Sequence, residues 1–336
     1  MSIKNDLKRA SGWLYLNSPV GRRQLRGGGV ILMLHRVLAD DASAELAHRN
    51  ELCVGPEAFD RLLHWLRQHF DCVPLMTLLE QQRQPRSGQR PQVALTFDDG
   101  WRDNALHALP LLKHHQVPAS IFLSTDYIGS RQCFWWESLG ETLWGSHGQA
   151  AIAPLLERLR EHGHPVPAQV LEHAPDRLRS LALAHYLQSL KALPAHSLRQ
   201  LTEACPQESL PQALNWHQVR QMEVSGLITF GPHGASHALL PELDDEALDA
   251  ELGRSANALQ RGCLQPLPVY CYPNGDHDAR VRQHVASHHY PFALSTRAAV
   301  YKSGDDPLAL PRIGVSQRSA RQPGLLAWRI SRGARA

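Results

Sequence analysis

Short, unbroken apolar runs punctuate the chain at Val30 to Leu34, Val93 to Phe97, Ser120 to Leu123, Leu227 to Phe230, Val269 to Tyr272 and Phe292 to Ser295. Runs of this kind, bounded by turn residues, are too short for helices, and their continuous apolarity is what a strand buried on both faces requires. Helix-period text lies between them. Pro56 opens one such stretch, placing Phe59, Leu62, Leu63 and Leu66 on a single face, with proline suited to a first turn whose N–H has no partner. Asn104 to His115, Asp244 to Gln260 and Asp278 to His288 repeat the spacing. Strands alternating with helices predict a mainly parallel α/β sheet, open or closed into a barrel.

From about Glu137 to Pro211 the strand pattern vanishes and Leu/Ala-rich helical text replaces it, as in Ala174 to Leu187. This predicts a helical insertion, either covering a site or packing beside it. The expected division is an N-terminal helical segment (1–28), an α/β domain in two parts (29–136 and 214–318), the insertion between them (137–213), and a basic C-terminal tail (319–336). Arg318, Arg321, Arg329, Arg332 and Arg335 gather towards that end.

At 336 residues and 43% hydrophobic content the chain can bury a core without covalent staples. Its six cysteines form no CxxC pair and no regular spacing, so free thiols are expected, not a disulfide framework or zinc knuckle. A net charge of +3 is a weak signal for any polyanion, and no nucleic-acid partner is expected. The N-terminal stretch has scattered charges and no unbroken apolar core, and no run approaches a membrane span. The expected location is cytoplasmic, with peripheral contact at the inner membrane face.

Chemistry-bearing residues stand where strands end. The Val93 to Phe97 run leads directly into Asp98, Asp99 and Gly100. Adjacent side chains on extended backbone diverge, so one carboxylate can bind a cation while the other serves as base for water; an Asp-Asp-Gly turn, or a cap for the helix after Trp101, accounts for the same residues. With 20 histidines, chance supplies HxxxH pairs, and there are two: His233/His237 and His284/His288. The first follows a strand through Gly231-Pro232, whereas the second lies within a helix, so the first is the better ligand pair. Two imidazoles and one carboxylate, Asp99, suit a divalent transition metal with open positions.

Thr96-Phe97-Asp98-Asp99-Gly100, His233-Gly234-Ala235-Ser236-His237 and Tyr270-Cys271-Tyr272-Pro273-Asn274-Gly275 resemble, in order, three motifs of the polysaccharide deacetylases, carbohydrate esterase family four. The likeness runs from about Gly29 to Val315, omitting the insertion. It implies a distorted (β/α) barrel, one divalent metal ion (zinc foremost, with cobalt, nickel and iron open), and hydrolysis of N-acetyl groups on amino sugars of a polysaccharide or glycan precursor. By the same resemblance Asp98 is the base, Asp99, His233 and His237 hold the metal, and the Tyr272-Pro273-Asn274 segment borders substrate, with the backbone N–H of Asn274 meeting the oxyanion. His35, at the end of the first strand, is similar to an early histidine that acts as general acid in one branch of the family; a structural role also fits it.

Two positions depart from the family pattern. Gly234 replaces a usual Ser or Thr, and no arginine precedes Tyr272 to orient the base. Arg312 either takes over that orientation of Asp98 or makes a surface ion pair. Trp101 offers a face for sugar stacking, and the Trp135–Trp136 pair offers the same or an anchor for the insertion. Rival readings keep the fold but change the job: a deformylase or amidase on a lipid-linked sugar or non-sugar amide, or a non-catalytic glycan-binding protein. Glycosidase carboxylates stand on opposite sides of a bond, which adjacent aspartates do not match.

Overall fold

The computed structural model describes residues 3–26, 28–81, 90–145, 149–171, 176–191, 193, 195–205 and 211–334. Each expected apolar run is a strand, within two residues of its expected bounds: β1 (Gly28–Leu34), β2 (Gln92–Phe97), β3 (Ala119–Leu123), β4 (Ile228–Pro232), β5 (Val269–Cys271) and β6 (Phe292–Leu294). Two shorter strands follow, β7 (Tyr301–Lys302) and β8 (Ile313–Gly314). β1 to β4 pair parallel in that order, β7 adds antiparallel to β1, and β8 pairs parallel with β1.

The ring closes by looser links, which is what distorts the barrel. Leu267 N–H donates to the Phe230 carbonyl at 2.7 Å, bringing β5 beside β4; β5 pairs parallel with β6, and β6 bridges to Leu310. Three residues later the chain is β8, back on β1. Leu, Ile, Val and Phe of β1 to β4 are buried, as strands covered on both faces require.

The register places the strand ends level. Leu34 lies opposite Phe97, Phe97 opposite Ile121, and Leu123 opposite Pro232. His35, Asp98 and His233 each follow a strand directly, so one edge of the barrel collects all three.

The expected helices form with local reasons on the page. Pro56 opens Pro56–His69, with Phe59, Leu62, Leu63 and Leu66 buried. Asp244 and Asp278 cap the next two predicted helices, accepting from Ala247 and Val281 N–H. The Asn104 helix begins as a π turn, Asn104–Ala108, before continuing as Leu109–His115, because Pro110 supplies no N–H to the regular ladder.

Residues 135–203 carry helices and, among the described residues, no strand; residues 174 and 175 of the expected Ala174 to Leu187 helix lie outside the described set, and Asp176–Leu190 is helical. Segment 319–336 is more than a tail. Pro323–Gly333 is a helix whose Leu325, Leu326, Ala327 and Ile330 are buried, and it packs along Ile3–Asn17; Arg318, Arg321 and Arg332 point outward, and Arg335 lies outside the described residues.

Candidate active site

The β2 strand ends in a kink. Asp99 (φ 73°) and Gly100 (φ 83°) are both left-handed, and a β-carbon on Gly100 would lie 2.6 Å from Leu123 Cδ2, so glycine is required there. His237 (φ 59°) and Asn274 (φ 55°) share this conformation, so three of the five described non-glycine residues at positive φ belong to this edge. Strain of that kind persists only where surrounding contacts enforce it.

Those contacts are visible. Asp99 Oδ2 accepts from the Trp101 indole N–H at 2.8 Å, while Oδ1 lies 3.4 Å from Nε2 of both His233 and His237. His233 Nδ1 donates to the Cys271 carbonyl at 2.9 Å, which fixes the tautomer and leaves Nε2 aimed at Asp99. Burial would push the Asp99 carboxyl upward, but the two imidazoles beside it outweigh burial and hold it well below the usual range. One ligand atom from each of Asp99, His233 and His237 lies within 4.8 Å of the others. A nitrogen–nitrogen–oxygen donor set, convergent and oriented from behind, fits a divalent transition metal.

Asp98 points elsewhere. Arg312, fully buried, grips it in a fork, Nη1 to Oδ1 at 2.6 Å and Nη2 to Oδ2 at 2.7 Å. Arg312 also donates to Thr96 Oγ1 (3.1 Å) and the Ser295 carbonyl (3.0 Å), so it is no surface ion pair. Burial raises the Asp98 carboxyl, yet Arg312 and His233 overcome this and bring it to about 2. The Cys271 thiol, kept protonated by burial, approaches Asp98 Oδ1 at 3.5 Å. His35 Nε2 stands 3.9 Å from Asp98 Oδ2, beyond hydrogen-bond range, and burial lowers its imidazole against the pull of Asp99 and Asp98.

The departure at Gly234 has a structural cause. Its φ is +75°, and a β-carbon would sit 3.0 Å from Glu251 Oε1. That buried carboxylate accepts from Ala235 N–H (2.8 Å), Ser236 N–H (2.6 Å) and Ser236 Oγ (3.1 Å), tying down the loop between the two histidines. Glu251 was not among the expected site residues, nor was Cys271.

The expected substrate contacts fare differently. Trp101 is 1% exposed, with Phe134 at 4.2 Å between ring centroids and the Arg36 guanidinium 4.2 Å over its face. It presents no face for stacking; its N–H serves Asp99 instead. Tyr272 and Pro273 are buried, the Tyr272 hydroxyl donating to the Leu308 carbonyl at 2.9 Å. Asn274 is exposed in the following turn, anchored by Thr296 Oγ1 donating to its carbonyl at 3.1 Å. Trp136 is half-buried with its ring 5.0 Å from that of His237, beside the ligand cluster. His284 and His288 both reach Asp249, at 3.0 and 3.2 Å, in a surface ion-pair group apart from this site.

The polysaccharide deacetylase family profile matches residues 86–293, well over half of the chain. The chain belongs to the polysaccharide deacetylase family. This family member is accordingly a hydrolase of carbon–nitrogen bonds other than peptide bonds, of the N-deacetylase type. Solved structures share its fold. A Streptococcus pyogenes deacetylase, PplD, in complex with acetate is 18% identical with a TM-score of 0.57, over 89% of this chain and 96% of that one. IcaB from Ammonifex degensii is 18% identical with a TM-score of 0.55, over 90% and 97%. A de-N-acetylase from Aggregatibacter actinomycetemcomitans is 14% identical with a TM-score of 0.55, over 88% and 98%. No curated protein matches the deacetylase chain in sequence.

Proposed function

We propose that the protein is a metal-dependent N-deacetylase acting on an N-acetylated amino sugar of a polysaccharide or glycan precursor. The observation that carries this reading is the division of labour between adjacent aspartates: Asp99 faces His233 and His237, while Asp98 is gripped by Arg312. Asp99, His233 and His237 would hold a divalent cation, zinc first among candidates, which would supply Lewis acidity towards the acetyl carbonyl and lower the pKa of bound water.

The chain's own groups do the rest. Asp98, whose ionised form the Arg312 guanidinium favours, takes the proton from attacking water. Arg312 is a positioning residue that keeps both carboxylate oxygens in place. The left-handed turn at Asn274 supplies a backbone N–H to the developing oxyanion. His35 stands beside Asp98 and outside the ligand set, so it protonates the departing amine nitrogen. Burial lowers its pKa, which makes the protonated imidazole a stronger acid towards that nitrogen. Trp136 beside His237 is the aromatic wall on which a sugar ring stacks.

Acetate release from N-acetylhexosamine oligomers tests this, with metal-stripped protein, protein restored with zinc or cobalt, and Asp98→Asn. Release is expected only with metal, and Asp98→Asn lowers it about a hundred- to ten-thousandfold. Stoichiometric metal binding without acetate moves the substrate to formylated or lipid-linked sugars. Failure to bind metal removes the mechanism.

A further inference from the structure

The N-terminal helix turns one apolar face into the protein and a second one outward. Gly12, Tyr15 and Leu16 of Ile3–Asn17 are buried, and a β-carbon at Gly12 would fall 2.4 Å from the Trp328 backbone nitrogen, so this helix and Pro323–Gly333 meet at their backbones. On the opposite side Leu7, Ala10 and Leu14 recur at helical spacing. Leu7 is 66% exposed, Leu14 61%, the neighbouring Trp13 57%, and Val20 on the next helix, Pro19–Arg26, 64%. All four fall between residues 7 and 20, whereas among the other exposed large apolar side chains of the described residues only Leu178 and Leu181 share a helix.

This ribbon is built into the fold. Tyr15 Oη donates to Gln24 Oε1 at 2.8 Å across the two helices, and Gly21 lies so near the Tyr15 carbonyl that any β-carbon would overlap it. A surface helix ordinarily turns polar residues to water, so one that is apolar on both sides is made for a second apolar neighbour.

Charge selects that neighbour. Residues 3–26 hold Lys4, Lys8, Arg9, Arg22, Arg23 and Arg26 against one acid, Asp6. Arg9 pairs with Asp6 at 3.3 Å and Lys8 lies 4.4 Å over the Trp328 ring; Lys4, Arg22 and Arg23 are exposed, with no carboxylate partner among the described residues. A second copy of the chain would press like charges together, and nucleic acid would leave the leucines against phosphate. An anionic lipid surface satisfies both features, taking leucine, valine and tryptophan into the headgroup boundary while lipid phosphates meet the cations.

We propose that the outward face of Ile3–Asn17 and Pro19–Arg26 docks this protein on an anionic membrane. The contact is interfacial, since no helix among the described residues is long and apolar enough to cross a bilayer. The inference goes beyond deacetylation and stands apart from it, so its test needs no substrate.

Cosedimentation of the full chain with vesicles provides the test, comparing phosphatidylcholine alone with phosphatidylcholine mixed with phosphatidylglycerol. Binding is expected to the mixed vesicles and to fall as salt is raised to about 1 M, where the screening length is about 3 Å. Leu7→Glu with Leu14→Glu lowers that binding about a hundredfold. Arg22→Glu with Arg23→Glu, which leaves the apolar ribbon whole, lowers it about tenfold or more. Both variants alter exposed positions only and keep the wild-type circular dichroism and thermal midpoint. Equal binding to both vesicle types, no binding to either, or binding indifferent to the leucine changes overturns the proposal. So does a dimer in sedimentation velocity that the leucine changes dissociate, which would give the face to a second copy.

Discussion

The ligand cluster and the helical stretch 135–203 are built by opposite means. In the cluster each buried polar group has a partner that holds it: Asp98 has Arg312, Asp99 has Trp101 of the same turn, His233 has the Cys271 carbonyl, and the intervening loop has Glu251. The helical stretch has an apolar core of its own, including Leu139, Leu143, Leu155, Leu159, Leu183, Leu190 and Leu201, separate from the core around the sheet. Its join to the body runs through Trp136, packed against the core around the sheet, and through charge. Arg36 pairs with Asp103 (2.7 Å) and with Glu137, Arg49 pairs with Glu137 (3.3 Å) and Glu141, and His48 lies between Trp144 and Ser180. Apolar packing tolerates exchange of similar volumes, whereas a buried polar network fails when one member is lost. Damage to the cluster is therefore abrupt, and damage at the join separates two bodies that each keep a core.

The largest effect expected is at Arg312. Arg312→Met leaves Asp98 buried without its cation, at a cost of about 3–5 kcal/mol in chemical denaturation. Adding Asp98→Leu restores most of that stability while activity stays lost, because the apolar pair no longer strands a charge. A single-variant cost under about 1 kcal/mol, the range of an exposed pair, would erase the contrast between the two regions.

A smaller effect is expected from acid at the join. Burial, aided by Arg49, lowers His48 to about 4, so below an unfolded value of about 6.5 the unfolded chain takes up a proton that the folded chain refuses. Stability at the join thus falls with pH across that window, by about 2–3 kcal/mol. Glu137 adds to this at lower pH. Burial raises it, but Arg36 and Arg49 overcome burial and depress it, so its contribution is present above about pH 4.3 and is lost as pH falls through the folded value. Amide exchange, corrected for intrinsic rates, is expected to rise in 135–203 between pH 7 and 5 while β1 to β4 stay protected. His48→Gln flattens that response. An equal rise in both regions would mean they open as one unit.

The strands, and the acids and histidines gathered at their ends, were legible because they rest on local pattern. The apolar runs ended where Asp98, His233 and His35 begin, and parallel pairing then aligned those ends. Glu251 was legible in principle: it shares the buried face of its helix with Leu248, Leu252, Ser255 and Leu259, and a glutamate on an apolar face needs a partner. Trp101 was not. Its place in sequence suggested sugar stacking, but its burial comes from Phe134 and Arg36, distant in the chain and silent in any periodicity. The left-handed Gly234 is equally silent, because only the folded loop shows what its missing side chain avoids. In 319–336 the arginines drew attention from Leu325, Leu326 and Ile330, which bury that helix.

Trp101 stands between the two regions, its ring 6.4 Å from that of Trp136, and it yields the smallest effect and the finest test of the contrast. Its backbone bridges to Ala213, on the segment returning from the helical stretch, while its indole N–H reaches Asp99. Trp101→Phe keeps an aromatic ring between Phe134 and Arg36 while removing the indole donor and part of the ring volume buried there. The fold is expected to lose about 1–2 kcal/mol, from the lost hydrogen bond and the ring volume left unfilled. Asp99, freed to rotate, binds zinc or cobalt about ten- to a hundredfold more weakly, read by competition with a chromophoric chelator. Unchanged affinity alongside the same stability loss would make Trp101 a packing residue, and the wiring of the cluster would then stop at Asp99 itself.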